Sequence, residues 1–152
     1  MSQETQRHEI TKKKVVYQMP TAQPAPIRRD IEYRVTDVGA LTMDIYYPPD
    51  SKSEARTPAV VFVIGYPDPG FQRMFGCKLK EMESYISWGQ LTAASGLVAI
   101  TYTTSKALSH NLPITFVNYP TAPHAFDIMD DSEMSREIIR QILTFIRFHL
   151  LA

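Results

Sequence analysis

The amino-acid sequence predicts an α/β fold with a largely parallel sheet, and two observations lead to this prediction. Three uninterrupted apolar runs, at 58–65, 97–102 and 113–119, are typical of strands that are buried on both faces. Two segments with helical spacing of apolar residues, at 81–96 and 132–152, alternate with these runs. Helices that alternate with wholly apolar strands are typical of α/β domains.

The N-terminal part of the chain shows a different pattern. We expect a mobile tail at 1–12 and a short strand in KKVVYQMP, which Pro20 ends. Apolar and polar residues then alternate in IEYRVT and again in LTMDIYY, with a short glycine-containing turn between them, which predicts an antiparallel hairpin. In its second strand one face carries Leu41, Met43, Ile45 and Tyr47, and the other carries Thr42, Asp44 and Tyr46.

Both predicted helices have recognisable faces and ends. The first presents an apolar face formed by Met82, Tyr85, Ile86 and Leu91. Gly96 is suited to end it, because glycine readily adopts the left-handed conformation found after helix C-termini. The last helix carries an apolar stripe formed by Met134, Ile138, Ile142, Phe145 and Ile146. Asp130, Asp131 or Ser132 can cap its start, whereas YPDPGF, before the first helix, is expected to be a turn-rich loop.

Composition and charge exclude several classes of protein. The chain has 152 residues, the size of one domain, and its 16 basic residues balance its 16 acidic residues. This balance argues against nucleic acid as a partner and protects the chain only weakly against self-association. No apolar run is long enough to span a membrane, and MSQETQRHEITKKK lacks the apolar core of a signal peptide. With a single cysteine, these features favour a cytoplasmic location.

The sequence indicates no metal and no cofactor. Cys77 is the only cysteine, so an internal disulfide is excluded and a zinc pattern is absent. The four histidines are scattered along the chain at positions 8, 110, 124 and 149.

Four stretches of the sequence resemble successive parts of one enzyme family. These are IEYRVTDVGALTMDIYYPPD, TPAVVFVIGYPDPG, SWGQLTAASGLVAITYTT and LPITFVNYPTAPHAFD. They are similar to the opening hairpin, the third strand with its oxyanion loop, the next helix and strand, and the last strand with its histidine loop. The family is that of the α/β-hydrolases of the dienelactone-hydrolase or prolyl-peptidase-like type. The resemblance begins near residue 28 and implies a truncated α/β-hydrolase sheet, mostly parallel, with an N-terminal antiparallel hairpin and helices on both faces.

The resemblance implies that the central part of such a domain is missing from this chain. The family places its nucleophile on a G-x-S-x-G elbow, but the six glycines do not bracket a serine or cysteine at that spacing. The resemblance divides the chain into a tail with a first short strand at 1–27, an N-terminal half-domain at 28–105, and the last strand, histidine loop and helix at 106–152. The link from Thr103 to Leu112 spans at most about 35 Å, which is too short for a full crossover helix.

Two residues are assigned to a catalytic site through this resemblance. His124 follows a strand's carboxyl end, where open α/β sheets place their sites, and it matches the family's catalytic base. The backbone N–H of Tyr66 matches a donor to the oxyanion of the tetrahedral intermediate. The alternatives are a surface-loop histidine and a plain Pro-Gly turn. No residue is assigned as nucleophile or as orienting acid.

The remaining candidates have weaker support. Ser105 and His110 form a pair without a strained elbow or an acid, so activation of the serine is not expected. Cys77 is interpreted as a buried or bystander thiol. Several acidic residues are expected to cap a helix, lie in a solvated loop or form a turn, namely Asp127, Asp130, Asp131 and Asp68.

Two functions from different classes remain open. In the first, the chain belongs to the serine-hydrolase α/β family, whose parent activity is hydrolysis of small-molecule carboxylic esters or related acyl bonds, and lacks the nucleophile. In the second, the chain is a non-catalytic truncated isoform, deletion form or pseudoenzyme that acts through self-association or a partner chain. Loss of the central strands would leave an open strand edge, which can template a homo-oligomer.

Overall fold

The computed structural model describes residues 7–19, 23–37, 39–50, 57–63, 68–104 and 125–151. Within them, one sheet is formed by the strands β1 (Ile27–Thr36), β2 (Gly39–Tyr46), β3 (Ala59–Val61) and β4 (Val98–Tyr102). The helices are α1 (Asp68–Phe75), α2 (Glu83–Ala94), α3 (Phe126–Met129) and α4 (Glu133–Leu151). Short 3-10 turns occur at Glu9–Lys12 and Leu79–Glu81.

The sheet has the strand order β1-β2-β4-β3 and is mixed. β2 pairs antiparallel with both β1 and β4, whereas β3 and β4 pair in parallel. The α/β class is therefore confirmed, but the described sheet is not mostly parallel. The reason is that the hairpin places its second strand directly beside β4, so that only β3 and β4 are joined through a helix. The apolar run at 113–119 lies outside the described residues.

Two clusters of buried apolar side chains lie on opposite sides of α2. The cluster between α2 and the sheet consists of Ala25, Tyr46, Ala93 and Ala99. The cluster between α2 and α4 consists of Val15, Leu91, Ile139 and Leu143. The sheet, α2 and α4 are thus stacked in this order. Helices on both faces of the sheet, as the hydrolase resemblance implies, stay a prediction.

The more buried face of β2 is the one that carries its polar residues. Asp44 is 1% exposed and Tyr46 is fully buried, whereas Met43 and Ile45 on the other face are only half-buried. The reason is that α2 covers Tyr46, and that the buried ammonium group of Lys80 donates a hydrogen bond to Asp44. Alternation therefore predicts the strand but not which of its faces points to the helix.

The N-terminal segment is held by contacts that differ from those predicted. Residues 9–12 form a 3-10 turn rather than a mobile tail, and the preceding His8 N–H donates to the Phe75 carbonyl at 3.1 Å. Val15 is buried, but its N–H donates to the Ser87 hydroxyl and not to a strand. The strand predicted in KKVVYQMP is therefore wrong over its described residues.

Helix α1 replaces the turn-rich loop that was predicted in YPDPGF. Pro69 lies in the first turn, where a missing N–H is tolerated. Asp68 at the start of the helix is buried and anchored by backbone donors. The proline and glycine that suggested a loop are thus compatible with a helix start at this position.

Helix α2 ends and helix α4 begins as predicted, but the buried face of α4 differs from the predicted apolar stripe. The N–H groups of Gly96 and Leu97 donate to carbonyls of the last turn of α2, and Gly96 has a φ of +88°. The Ser132 hydroxyl accepts from the Ser135 N–H and caps α4. Met134 and Phe145 are 54% and 44% exposed, because α4 turns the face with Ile139 towards α2.

Strand β3 is shorter and more exposed than its apolar run predicts. Val61 and Val63 are 50% and 60% exposed. β3 is the last strand at its side of the described sheet. Burial on both faces is therefore wrong for the described part of this run, whereas the predicted strand at 97–102 is confirmed as β4.

Candidate functional site

The two residues assigned from the hydrolase resemblance, His124 and Tyr66, lie outside the described residues, as do Ser105 and His110. Their described neighbours in the chain nevertheless meet at one place. Ala125, which directly follows His124, and Val63, three residues before Tyr66, line the same cavity of about 800 Å³. This volume is in the range of small-molecule sites. The cavity is therefore the candidate functional site.

The cavity walls are mainly apolar and aromatic. α1 contributes Gly70, Phe71, Met74 and Phe75. The segment that leads into α2, and the first half of that helix, contribute Leu79, Met82, Ser84, Tyr85 and Trp88. The rest comes from Ile10, Phe62, Val63, Ala125, Asp127 and Ile128. Such a lining suits an apolar ligand that a few polar groups orient.

Aromatic rings form two packed pairs in this wall. Phe71 and Phe75 stack with ring centroids 4.4 Å apart. Phe62 lies 6.3 Å from Trp88, centroid to centroid, at an angle of 41°. Trp88 is the single tryptophan of the chain, so all tryptophan fluorescence comes from one residue in the wall of this cavity.

Asp127 is the charged group of the cavity wall. Its Oδ2 accepts a hydrogen bond from the Trp88 Nε1–H at 2.9 Å, and its backbone carbonyl accepts from the Val16 N–H at 2.9 Å. It is the only Asp, Glu, Lys, Arg or His among the described lining residues. Burial raises the pKa of Tyr85, and the negative charges of Asp127 and Asp68 raise it further. Tyr85 is therefore a neutral phenol at physiological pH.

The backbone turns sharply at Ala125, immediately after His124. Ala125 adopts the left-handed conformation with a φ of 58°, which non-glycine residues rarely do. Its carbonyl accepts from the N–H groups of Ile128 and Met129 at 3.1 and 3.0 Å, so the turn is held by the start of α3. An unfavourable backbone conformation that its surroundings maintain is common at functional sites.

Asp68 connects the segment after Tyr66 to the end of β4. Its Oδ2 accepts from the Thr104 N–H at 2.6 Å and its Oδ1 from the Leu79 N–H at 3.0 Å. Its own N–H donates to the Thr104 carbonyl at 3.0 Å. Asp68 is therefore a buried anchor rather than a simple turn former, and both of its carboxylate oxygens are engaged by backbone donors.

The other acidic candidates and the cysteine are also placed by the structure. Asp130 accepts from the hydroxyls of Ser132 and Ser135, which confirms its role at the start of α4, and these hydrogen bonds lower its pKa. Asp131 pairs with Arg136 on the surface. Cys77 is buried, as predicted, and burial raises the pKa of its thiol. Asp127 was expected to cap a helix or lie in a solvated loop, and its contact with Trp88 overturns that expectation.

Sequence patterns assign no function to most residues of the cavity wall, although several of them have the spacing of one helix face. Phe71, Met74 and Phe75 have the spacing of one face of a helix, but the neighbouring proline and glycine favour a turn. Tyr85 and Trp88 are one helical turn apart and share a face of α2. No local pattern marks Asp127, because its partner Trp88 is 39 residues away in the chain.

Comparison of the chain with models of known protein families, with curated proteins and with solved structures gives no match. Membership in the α/β-hydrolase family thus stays a prediction. Within the described part of the chain, no group of three or more His, Cys, Asp or Glu side chains is placed to hold a metal ion. Over the same residues, no helix has both the length and the apolar character needed to cross a membrane.

Proposed function

We propose that this chain is an α/β-hydrolase-type protein whose parent activity is hydrolysis of carboxylic esters or related acyl bonds. This chain binds a largely apolar small molecule of that class in its cavity and does not hydrolyse it. The observation that carries the proposal is the cavity of about 800 Å³, whose wall includes the chain neighbours of both Tyr66 and His124. The resemblance assigns these two residues to the same site in the family.

The lack of a nucleophile elbow supports binding without turnover. Among the described lining residues Ser84 is the only serine. It lies in the first turn of α2 and follows a 3-10 turn, whereas an elbow serine follows a buried strand in a sharp strand-to-helix turn. A hydroxyl in such a position is not activated by backbone geometry.

The test combines binding and turnover on the full chain. Phenyl butyrate should change the fluorescence of Trp88 in a saturable way, without release of phenol, and a fluorophosphonate should label no serine. Labelling of Ser84 or steady release of phenol would show that the chain is itself an enzyme. Absence of any saturable fluorescence change up to the solubility limit would contradict the binding function.

A matched pair of variants shows whether the cavity is the place of binding. Gly70 lines the cavity and a Cβ added there meets no atom within 4 Å, so Gly70→Leu places side-chain atoms in the cavity and should abolish binding. Gln72→Leu, on an exposed position of the same helix, should leave binding unchanged.

Self-association is the second candidate function, and the exposed strand β3 favours it. Within the described residues no strand pairs with the outer edge of β3, and Val61 is half exposed. An apolar strand edge can pair with a second copy of the chain. A cytoplasmic location, favoured by the use of a single cysteine, belongs to the same proposal.

A further inference from the structure

The described wall of the cavity contains one acidic side chain and no basic side chain. Asp127 is the only Asp, Glu, Lys, Arg or His among the described lining residues. One donor, the Trp88 indole, holds its Oδ2 in place. In a partly desolvated site, a carboxylate favours a ligand of opposite charge and repels an anion.

Aromatic side chains line the cavity together with this carboxylate, and the N–H edge of Trp88 contacts it. Tyr85 and Trp88 are neighbours on α2, and Phe62 packs against Trp88. Burial raises the pKa of Tyr85, and the nearby Asp127 adds to this effect. Aromatic rings attract organic cations through the negative potential of their faces.

We infer that the ligand of this cavity carries an organic ammonium group, which lies beside Asp127 and against the rings of Tyr85, Trp88 and Phe62. This inference deepens the proposed function, because it rests on the same cavity and names the chemical class of its ligand. The apolar part of the ligand contacts the side of the cavity that α1 forms, where Phe71 and Met74 are located.

Three probes of similar size separate charge from shape. Phenyltrimethylammonium is a cation, tert-butylbenzene is its neutral counterpart of the same shape, and benzenesulfonate is an anion. Titration of the whole 152-residue chain, followed by Trp88 fluorescence, should give about tenfold tighter binding for the cation than for the neutral probe. The anion should bind more weakly than both.

Two Asp→Asn variants show whether Asp127 is responsible for the preference for the cation. Asp127→Asn keeps an acceptor for the Trp88 indole but removes the charge, so it should reduce the affinity for the cation to about that for the neutral probe. Asp131→Asn makes the same change in net charge on an exposed, surface-paired side chain and should leave all affinities unchanged. Circular dichroism verifies that each variant is folded.

The wild-type protein alone can overturn the inference, whatever the variants do. Equal affinities for the cation and the neutral probe, or a preference for the anion, would overturn it while leaving the binding cavity of the proposed function intact. Failure of all three probes to bind would overturn the inference and would also contradict binding in this cavity.

Discussion

Lys80 is a charged side chain that is almost fully buried in the described structure. It is 2% exposed, and its Nζ lies 2.8 Å from Asp30 Oδ1 and 2.7 Å from Asp44 Oδ1. Burial alone would lower the pKa of Lys80, but the hydrogen bonds to Asp30 and Asp44 raise it overall, so the group stays a cation. Asp30 reaches this position through a bulge in β1, where it adopts a φ of 54° and donates its N–H to Asp44.

Removal of this buried cation should destabilise the fold strongly. Lys80→Met removes the ammonium group from the buried carboxylate of Asp44, which keeps the Asp30 N–H at 2.9 Å and the more distant Arg29 at 3.5 Å. Breaking a buried ion pair by removing one partner costs about 3–5 kcal/mol, and we expect the lower part of this range because Arg29 remains. Urea unfolding of the purified variant measures the loss.

The surface pair of Lys12 and Glu9 provides the control for this substitution. Its side chains are 57% and 80% exposed, so Lys12→Met should change the free energy of unfolding by less than about 1 kcal/mol. Equal effects of the two substitutions would contradict the importance of the buried cluster.

Lys80 also lowers the pKa of Asp30, so this carboxylate contributes stability above its ordinary pKa and loses it as the pH falls through the lowered value. The difference between wild type and Lys80→Met should therefore shrink below about pH 4.

At the scale of elements, the close contact between α2 and β2 depends on a glycine, Gly89, which has no side chain. Gly89 lies in the interior of α2, where glycine is unfavourable by about 1 kcal/mol relative to alanine. A Cβ at this position would lie 2.8 Å from the ring of Tyr46, which is fully buried. Glycine thus allows the helix to approach the sheet over this ring.

Gly89→Ala should lower the stability despite the better helix propensity of alanine. Overpacking of a well-filled contact costs about 1–3 kcal/mol, and we expect a net loss of about 1–2 kcal/mol by urea unfolding. Gly70→Ala is the control, because its new Cβ lies in a helix and meets no atom within 4 Å. This substitution should leave the free energy of unfolding unchanged or increase it by at most about 1 kcal/mol. A stabilised Gly89→Ala protein would show that the Tyr46 ring can move.

At the scale of the whole molecule, the two edges of the described sheet differ in their protection. β1 is bulged and carries charged side chains at Arg28, Arg29, Asp30, Glu32 and Arg34. β3 is wholly apolar, and its pairing with β4 continues through the Phe62 N–H, which donates to the Ile100 carbonyl at 3.0 Å. Bulges and charges prevent edge-to-edge association, so β3 is the edge suited to pair with a second copy.

We expect the chain to form a dimer through β3 at micromolar concentration. Val61→Lys places a charge on this edge and should give a monomer, as measured by size-exclusion chromatography with light scattering. Val35→Lys, at a 68% exposed position of the protected edge, should leave the dimer unchanged. A wild-type protein that is monomeric at high concentration would contradict this expectation.

Local patterns predicted much of this fold and little of the cavity. The hairpin, α2, β4 and α4 follow from alternation, helical spacing, Gly96 and Ser132, which act over a few neighbouring residues. The buried face of β2 was not predictable in this way, because the burial of Asp44 depends on Lys80, 36 residues further along the chain. Helix α1 was missed because Pro69 and Gly70 favour turns in most contexts.

The absence of a G-x-S-x-G motif and the presence of the hairpin, α2, β4 and α4 can be read in the amino-acid sequence, because they are properties of neighbouring residues. The mixed direction of the sheet, the cavity and its charge depend on contacts between distant parts of the chain. Asp68 bonds to Thr104 across 36 residues and Asp127 to Trp88 across 39. Such contacts form only when packing of the whole domain brings the two groups together, since no local preference of either residue specifies its partner.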